Sequence, residues 1–280
     1  MPRGSEASLV VASALLLTAA CRAAPAVDPY AVRVSVRGAL AAPEGFVRAT
    51  EDPAEAEGQG SFDPDLLIGD RVRLGRDAGI RLSRDLGASA EVRPHPDLLL
   101  EGQFGASGLD GAGGPGRRRR FDGSVYGEGE KLRLEVEWTR FRAALGGRLA
   151  AVDAGLRLDL LGRAGFERDN VRVEIKGSRT LGEDRDLRLG APWGGLEARW
   201  AVSPRATASV RLDAGYVKDH RNELGLVDFE TGLRLGLGGP FDVGIFYAVH
   251  HRRGRSGAGR ELSTLSHTTH GIGLELGAGF

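Results

Sequence analysis

Apolar and polar side chains alternate with a period of two along most of this chain. In KLRLEVEW (131–138), Leu132, Leu134, Val136 and Trp138 stand against Lys131, Arg133, Glu135 and Glu137. Successive side chains of a β-strand point to opposite faces, so each such run predicts a strand with one apolar face. GLRLDLLGRAGFE sets Leu156, Leu158, Leu160, Ala164 and Phe166 against Arg157, Asp159, Arg163 and Glu167. LEARWAV sets Leu196, Ala198, Trp200 and Val202 against Glu197 and Arg199, and ATASVRLDAGY sets Ala206, Ala208, Val210, Leu212, Ala214 and Tyr216 against Arg211 and Asp213. LVDFETGLRLGLG and FDVGIFYAVHH follow the same rule, with Asp228, Glu230, Arg234, Asp242 and His250 on their polar faces. LGASAEVRP and DLLLEGQFGA open the series, the second with Glu101 and Gln103 opposite Leu100 and Phe104. After Thr139 the parity slips to Phe141 and Ala143, which predicts a β-bulge that restores one continuous face.

Between the runs lie breakers of alternating size. PHPD (94–97), SPR (203–205) and GGP (238–240) are short. GGRLAAVDA and DHRNELG are moderate, and GAGGPGRRRR within 108–130, SRTLGEDRDLRLGAPWG and RRGRSGAGRELSTLSH are long. Tight turns at one end and elaborated loops at the other predict an all-β, up-and-down antiparallel meander. Eight strands can be placed from residue 96 onward and 84–94 makes nine. An even number needs a tenth, from 66–76 or from the alternation Val32, Val34, Val36; ten is preferred, with eight and twelve as alternatives.

The same alternation suits a soluble sandwich with its apolar faces turned inward. Three features favour the opposite arrangement. The polar faces are rich in Gly, Arg, Asp and Glu, a composition suited to packing charge inside a narrow lumen. The apolar faces hold few bulky aromatics. The runs reach nine residues or more, and a membrane-spanning strand needs about nine to eleven. In lipid every backbone polar group must be paired, so such strands must close into a transmembrane β-barrel. Trp138, Trp193, Trp200, Tyr216 and Tyr247 are candidates for interfacial aromatics.

The final stretch, GIGLELGAGF, places Ile272, Leu274, Leu276, Ala278 and Phe280 on one face. It resembles the C-terminal signature of bacterial outer-membrane barrels, carried here by Ile272, Leu274, Leu276 and Phe280, with Ala278 where an aromatic is usual. The resemblance implies an outer-membrane location, contact with the barrel insertion machinery, and a last strand that pairs with the first. VRLGRDAGIRLSRDLG, EVRPHPDLLLEGQF and FDGSVYGEGEKLRLEVEWTRF also resemble a broad group of uncharacterised barrel proteins, a likeness that brings no catalytic residue.

The first 26 residues read as a signal peptide: Arg3, then the apolar run LVVASALLLTAA (9–20), too short for a spanning helix. Thr18-Ala19-Ala20-Cys21 resembles a bacterial lipobox, in which Cys21 would carry lipid; Ala24-Pro25-Ala26 offers ordinary cleavage after Ala26 instead. Residues 27–65 are then a periplasmic segment or a first strand and loop, and 66–280 the barrel. Cys21 is the only cysteine, which excludes an internal disulfide and a cysteine metal cluster. Basic and acidic residues balance at 38 each, which gives no reason to expect nucleic acid as a partner. No cofactor is expected, since no phosphate-cradling GxxxxGK[ST] occurs.

Candidate chemistry is sparse. His220, His250, His251, His267 and His270 approach the long-loop end, near Glu261, Ser263 and Ser266, but HTTH puts His267 and His270 on opposite strand faces, and no metal site is expected. Arg117, Arg118, Arg119 and Arg120 suit the phosphates of outer-membrane lipid, the second expected partner. Aligning apolar faces across the turn at 203–205 sets Glu197 opposite Arg211. Across the turn after Gly238 it sets Glu230 opposite His250 and Asp228 opposite Arg252, all as ion pairs of the lumen. The expected function is that of a monomeric, non-enzymatic barrel with a charge-filled lumen and a structural or interaction role. A narrow solute channel, a lipid-anchored β-domain binding an apolar ligand, and a barrel lipid hydrolase are the alternatives.

Overall fold

A computed structural model describes residues 30–50, 70–116, 119–121, 124–153, 157–178, 183–218, 222–256 and 262–280. In chain order the strands are β1 (Val32–Thr50), β2 (Val72–Arg73), β3 (Ser83–His95), β4 (Leu98–Gly113), β5 (Arg119–Phe121), β6 (Ser124–Tyr126), β7 (Leu132–Asp153), β8 (Arg157–Gly177), β9 (Glu183–Ser203), β10 (Ala206–Lys218), β11 (Asn222–Gly238), β12 (Phe241–Ser256) and β13 (Leu262–Gly279). Ten of them, β1, β3, β4 and β7 to β13, pair antiparallel with their neighbours in sequence order. β13 returns to β1, from Arg33 opposite Gly279 to Thr50 opposite Leu262, and closes the barrel without an edge. The tenth strand comes from the alternation at Val32; among the described residues of 66–76, which begin at Asp70, the strand is β2, two residues laid on β1 opposite Phe46 and Val47.

The barrel strands run from 13 residues in β3 to 22 in β7, and the longer ones are about twice what lipid requires. Stretches expected as connectors are largely strand. Residues 146–153 of GGRLAAVDA belong to β7, β9 already begins at Glu183, and β12 runs on to Ser256. In 146–153 the alternation is interrupted by a register shift at Arg148/Ala150, and in β9 it changes sides partway up.

That change is the central feature of the fold. β7 pairs with β4 and β8 without interruption past Thr139, so there is no bulge there; the one irregularity lies at Arg148/Ala150. With the register continuous, Leu132, Leu134, Val136 and Trp138 face the same way as Arg140 and Arg142, into the barrel, and all four are buried. Phe141 and Leu145 face out and are exposed. The apolar face of KLRLEVEW is therefore an interior face, and Arg133 and Glu137 are on the outside. β8 repeats the pattern: Phe166 is outside, whereas Val171, Val173 and Ile175 are buried inside. The parity slip follows from the surroundings. Alongside lipid the outer positions must be apolar; above lipid they meet water, and the apolar residues move to the interior.

The outward apolar belt includes Val34, Leu86, Phe104, Phe141, Leu196, Leu212, Leu233, Ile245 and Leu274, one or more from each side of the barrel. Trp200, Tyr216 and Tyr247 share its outward parity, whereas Trp138 and Trp193 are 4% exposed and belong to the inner core, not to an interfacial girdle. The short turns at 96–97, 204–205 and 239–240 sit at the same end as Tyr30 and Phe280. In barrels of this type the short-turn end is periplasmic.

A candidate functional site inside the barrel

Inward positions below the change of sides carry charge on most strands, among them Arg33, Glu91, Glu101, Arg142, Arg163, Glu197, Asp213 and Asp228. Near the periplasmic end, Arg33 donates to Asp242 (2.7 Å) and Glu275 (2.5 Å), and Arg148 to Asp97 (2.7 Å). One level up, Arg199 on β9 reaches Glu91 on β3 (3.2 Å), with β8, β7 and β4 between them in the sheet. Arg163 contacts Glu101 and lies 3.4 Å from Glu197. Arg37 on β1 donates to Glu230 on β11 at 2.8 Å.

The uppermost ionic level centres on two arginines. Arg142 donates to Glu167 (2.9 Å), Asp213 (2.8 Å) and Asp228 (2.6 Å), and its guanidinium lies 4.2 Å from the centre of the Trp193 ring. Arg252 is fully buried and donates to Asp228 (2.6 Å) and Glu167 (3.2 Å). His250 Nδ1 is 2.8 Å from Asp228. Guanidinium forks that reach several carboxylates across the bore combine charge-assisted bonding with a fixed geometry.

An apolar cap lies directly above. Val47 and Ala49 of β1, Leu132 to Trp138 of β7, Leu187 and Leu189 of β9, and Leu224 and Leu226 of β11 point into it. The segment after β2 folds over the opening and inserts Leu74, Ala78 and Ile80, held by Leu74 N–H to Gly45 O (3.0 Å) and Ile80 N–H to Leu74 O (2.9 Å). Asp77, fully buried, accepts the Arg73 N–H at 3.0 Å. The β5–β6 hairpin adds Phe121 and Tyr126. Between ionic level and cap is a cavity of about 70 Å³ bordered by Ser83, Asp85, Arg140, His250 and His267; a second of about 70 Å³ lies lower, among Glu91, Glu101, Arg199, Arg211 and Glu230. Each has room for a few water molecules.

The expected ion pairs are distributed differently from the sequence reading. Arg211 is directly opposite Glu197, yet Glu197 is bonded to Arg199 (2.5 Å), while Arg211 turns to Asp213 (2.7 Å). Across the β11–β12 turn the register is two residues from expectation: Leu235 is opposite Val243, Asp228 opposite His250 and Glu230 opposite Ala248. Gly238 and Gly239 adopt φ of 102° and 61°, open to glycine at little cost, and pair Gly238 with Phe241 in a turn tighter than one centred on Pro240. Asp228 still meets Arg252, diagonally; Glu230 is bonded to Arg37 and not to His250.

Ile272, Leu274, Leu276 and Phe280 point outward and are 57–70% exposed. Cys21, Arg117, Arg118, His220 and Glu261 lie outside the described residues, as do the side chains of Arg119 and Arg120. His250 and His267 point inward and border the same cavity, whereas His251 and His270 have outward parity, so the four do not form one cluster. His267 lies against the Trp138 ring, 4.3 Å between centres, and not beside Ser266. Of the residues that organise the interior, Arg252 was expected beside Asp228, whereas Arg142 and Glu167 were legible only as charged positions; Arg142 finds Asp213 and Asp228 on strands far from its own.

A closed, even-stranded antiparallel barrel with an outward apolar belt spans a membrane, and its location is the bacterial outer membrane. No protein-family model matches the sequence, and no curated protein matches it. Among solved structures, the chain is similar to the outer membrane protease OmpT of Escherichia coli (9% identity, TM-score 0.48, 89% of this chain and 97% of that one). It is also similar to the translocator domain of the autotransporter NalP of Neisseria meningitidis (13%, 0.42, 98% and 96%) and to OprG of Pseudomonas aeruginosa (10%, 0.38, 91% and 100%). The membrane assignment rests on the closure and sidedness of this barrel's own strands.

Proposed function

We propose that the protein is a non-enzymatic outer-membrane barrel with a charge-filled, capped lumen, serving a structural or interaction role through its rigid extracellular extension. The observation that carries this reading is the stacking of the cross-bore contacts of Arg142 and Arg252 beneath the cap of Leu74, Ile80, Phe121 and Tyr126. Ionic cross-links favour a bore of fixed shape, and the apolar cap opposes the passage of ions and polar solutes. Strands that continue well past the apolar belt support a stiff platform above the membrane.

Planar-bilayer recording tests the reading. The folded protein is expected to give no steady conductance, and Leu74→Asp with Ile80→Asp, which would wet the cap, to give at most brief openings. A stable conductance from the unaltered protein would favour a narrow solute channel.

A further inference from the structure

The outer face of β7, β8 and β9 carries an unbalanced pair of cations where the apolar belt ends. Arg168 is directly opposite Phe141 on β7 and two residues beyond Phe166, both belt residues. Arg188 is opposite Asn170 on β8, which makes Arg168 and Arg188 diagonal neighbours, roughly 7–8 Å apart in such a ladder. One row higher, Arg172 stands between Glu137 and Asp186, one cation between two carboxylates. In the lower rows there is no carboxylate: Arg168 and Arg188 are exposed, and among the described residues neither has a polar partner. They border a groove of about 410 Å³ whose nearer walls include the neutral hydrogen-bonding groups of Thr139 and Asn170, and whose upper edge carries Glu137, Arg172 and Asp186.

We propose that this groove binds the phosphate of an anionic lipid in the outer leaflet, with Arg168 and Arg188 as the two cationic arms. The proposal rests on the membrane-barrel reading, which sets the height of the site. The tight turns lie at the other end of the barrel, so these rows face the outer leaflet. At the end of an apolar belt the chemistry available is that of lipid head groups. Two guanidinium forks on adjacent strands, with neutral groups between them, match the several acceptor oxygens of one phosphate. Belt residues Phe141 and Phe166 lie just below, where acyl chains would run.

The test begins with folding the full chain into phosphatidylcholine vesicles and following the gel shift on heating. Retention of diphosphorylated lipid A, against the same lipid stripped of phosphate, is then measured by native mass spectrometry. The expected result is a preference of roughly tenfold or more for the phosphorylated form, weakened by salt, since hydrogen bonds to charged groups are of that strength. Arg168→Gln with Arg188→Gln should abolish the preference without altering insertion, and Asn170→Asp should reduce it by placing a carboxylate between the arms. Inorganic phosphate should not compete. An unchanged preference in the double variant, or one lost only when Arg117 to Arg120 are replaced, overturns the proposal. Full competition by inorganic phosphate also overturns it, by making the groove a free-phosphate site. Failure to insert into the neutral vesicles at the outset would instead sink the barrel reading, and this proposal with it.

Discussion

Arg142 on β7 and Asp228 on β11 meet at 2.6 Å across the bore, with three strands between them in the sheet. Neither residue's neighbours in sequence disclose the other. The contact ties opposite walls of the barrel together and shares Asp228 with Arg252 and His250.

Removing that shared carboxylate should leave two guanidinium groups with fewer partners. Asp228→Leu is expected to destabilise the folded barrel by about 3–5 kcal/mol, the range for breaking a buried ion pair from one side. Adding Arg252→Leu should recover part of the loss. Urea unfolding in micelles, followed by tryptophan fluorescence, measures both; a loss under about 1 kcal/mol for the single variant would place Asp228 in water.

Glu197 offers a sharper comparison. It is opposite Arg211 in the ladder but bonded to Arg199. Double-mutant cycles should therefore give a coupling of about 0.5–3 kcal/mol for Glu197 with Arg199, and a clearly smaller one for Glu197 with Arg211. The reverse order would mean that ladder position, and not the bonded geometry, governs the interior.

The change of sides along β7 predicts labelling. Cys21 is the only cysteine, so in a Cys21→Ser background single cysteines can be placed at will. In intact cells a membrane-impermeant maleimide should label Glu137→Cys rapidly and leave Val136→Cys and Leu145→Cys unlabelled. Labelling at position 145 would remove that residue from the lipid belt. Leu145→Arg should also lower stability by about 2–4 kcal/mol if it lies near the bilayer midplane.

Phe280 closes the ladder: its N–H donates to Val32 O at 2.8 Å, and its carbonyl accepts from Ala31 N–H at 2.8 Å. Deleting it is expected to reduce the heat-modifiable, folded fraction in the membrane without changing synthesis or export. An equal folded yield would assign the terminal alternation to strand packing alone.

Period-two alternation, read with the alternating breakers from the sequence, determined that the chain is all-β, that its strands run up and down, and that each has one apolar face. These are local properties: a strand's two faces are set by adjacent residues, and a hairpin joins neighbours. It also gave the β9–β10 register, because SPR is a tight turn and the faces on either side leave one alignment. The β11–β12 register was decided by the backbone of Gly238 and Gly239, whose positive φ angles no side-chain pattern announces. The meaning of the slip at Thr139 was likewise a tertiary matter. A bulge and a reversal of surroundings leave the same trace in sequence, and only unbroken pairing with β4 and β8 separates them. The interior partners lay furthest out of reach. Arg142 finds Asp228 because closure folds the sheet onto itself and brings positions 86 residues apart face to face across the bore, a distance over which strand periodicity carries no information.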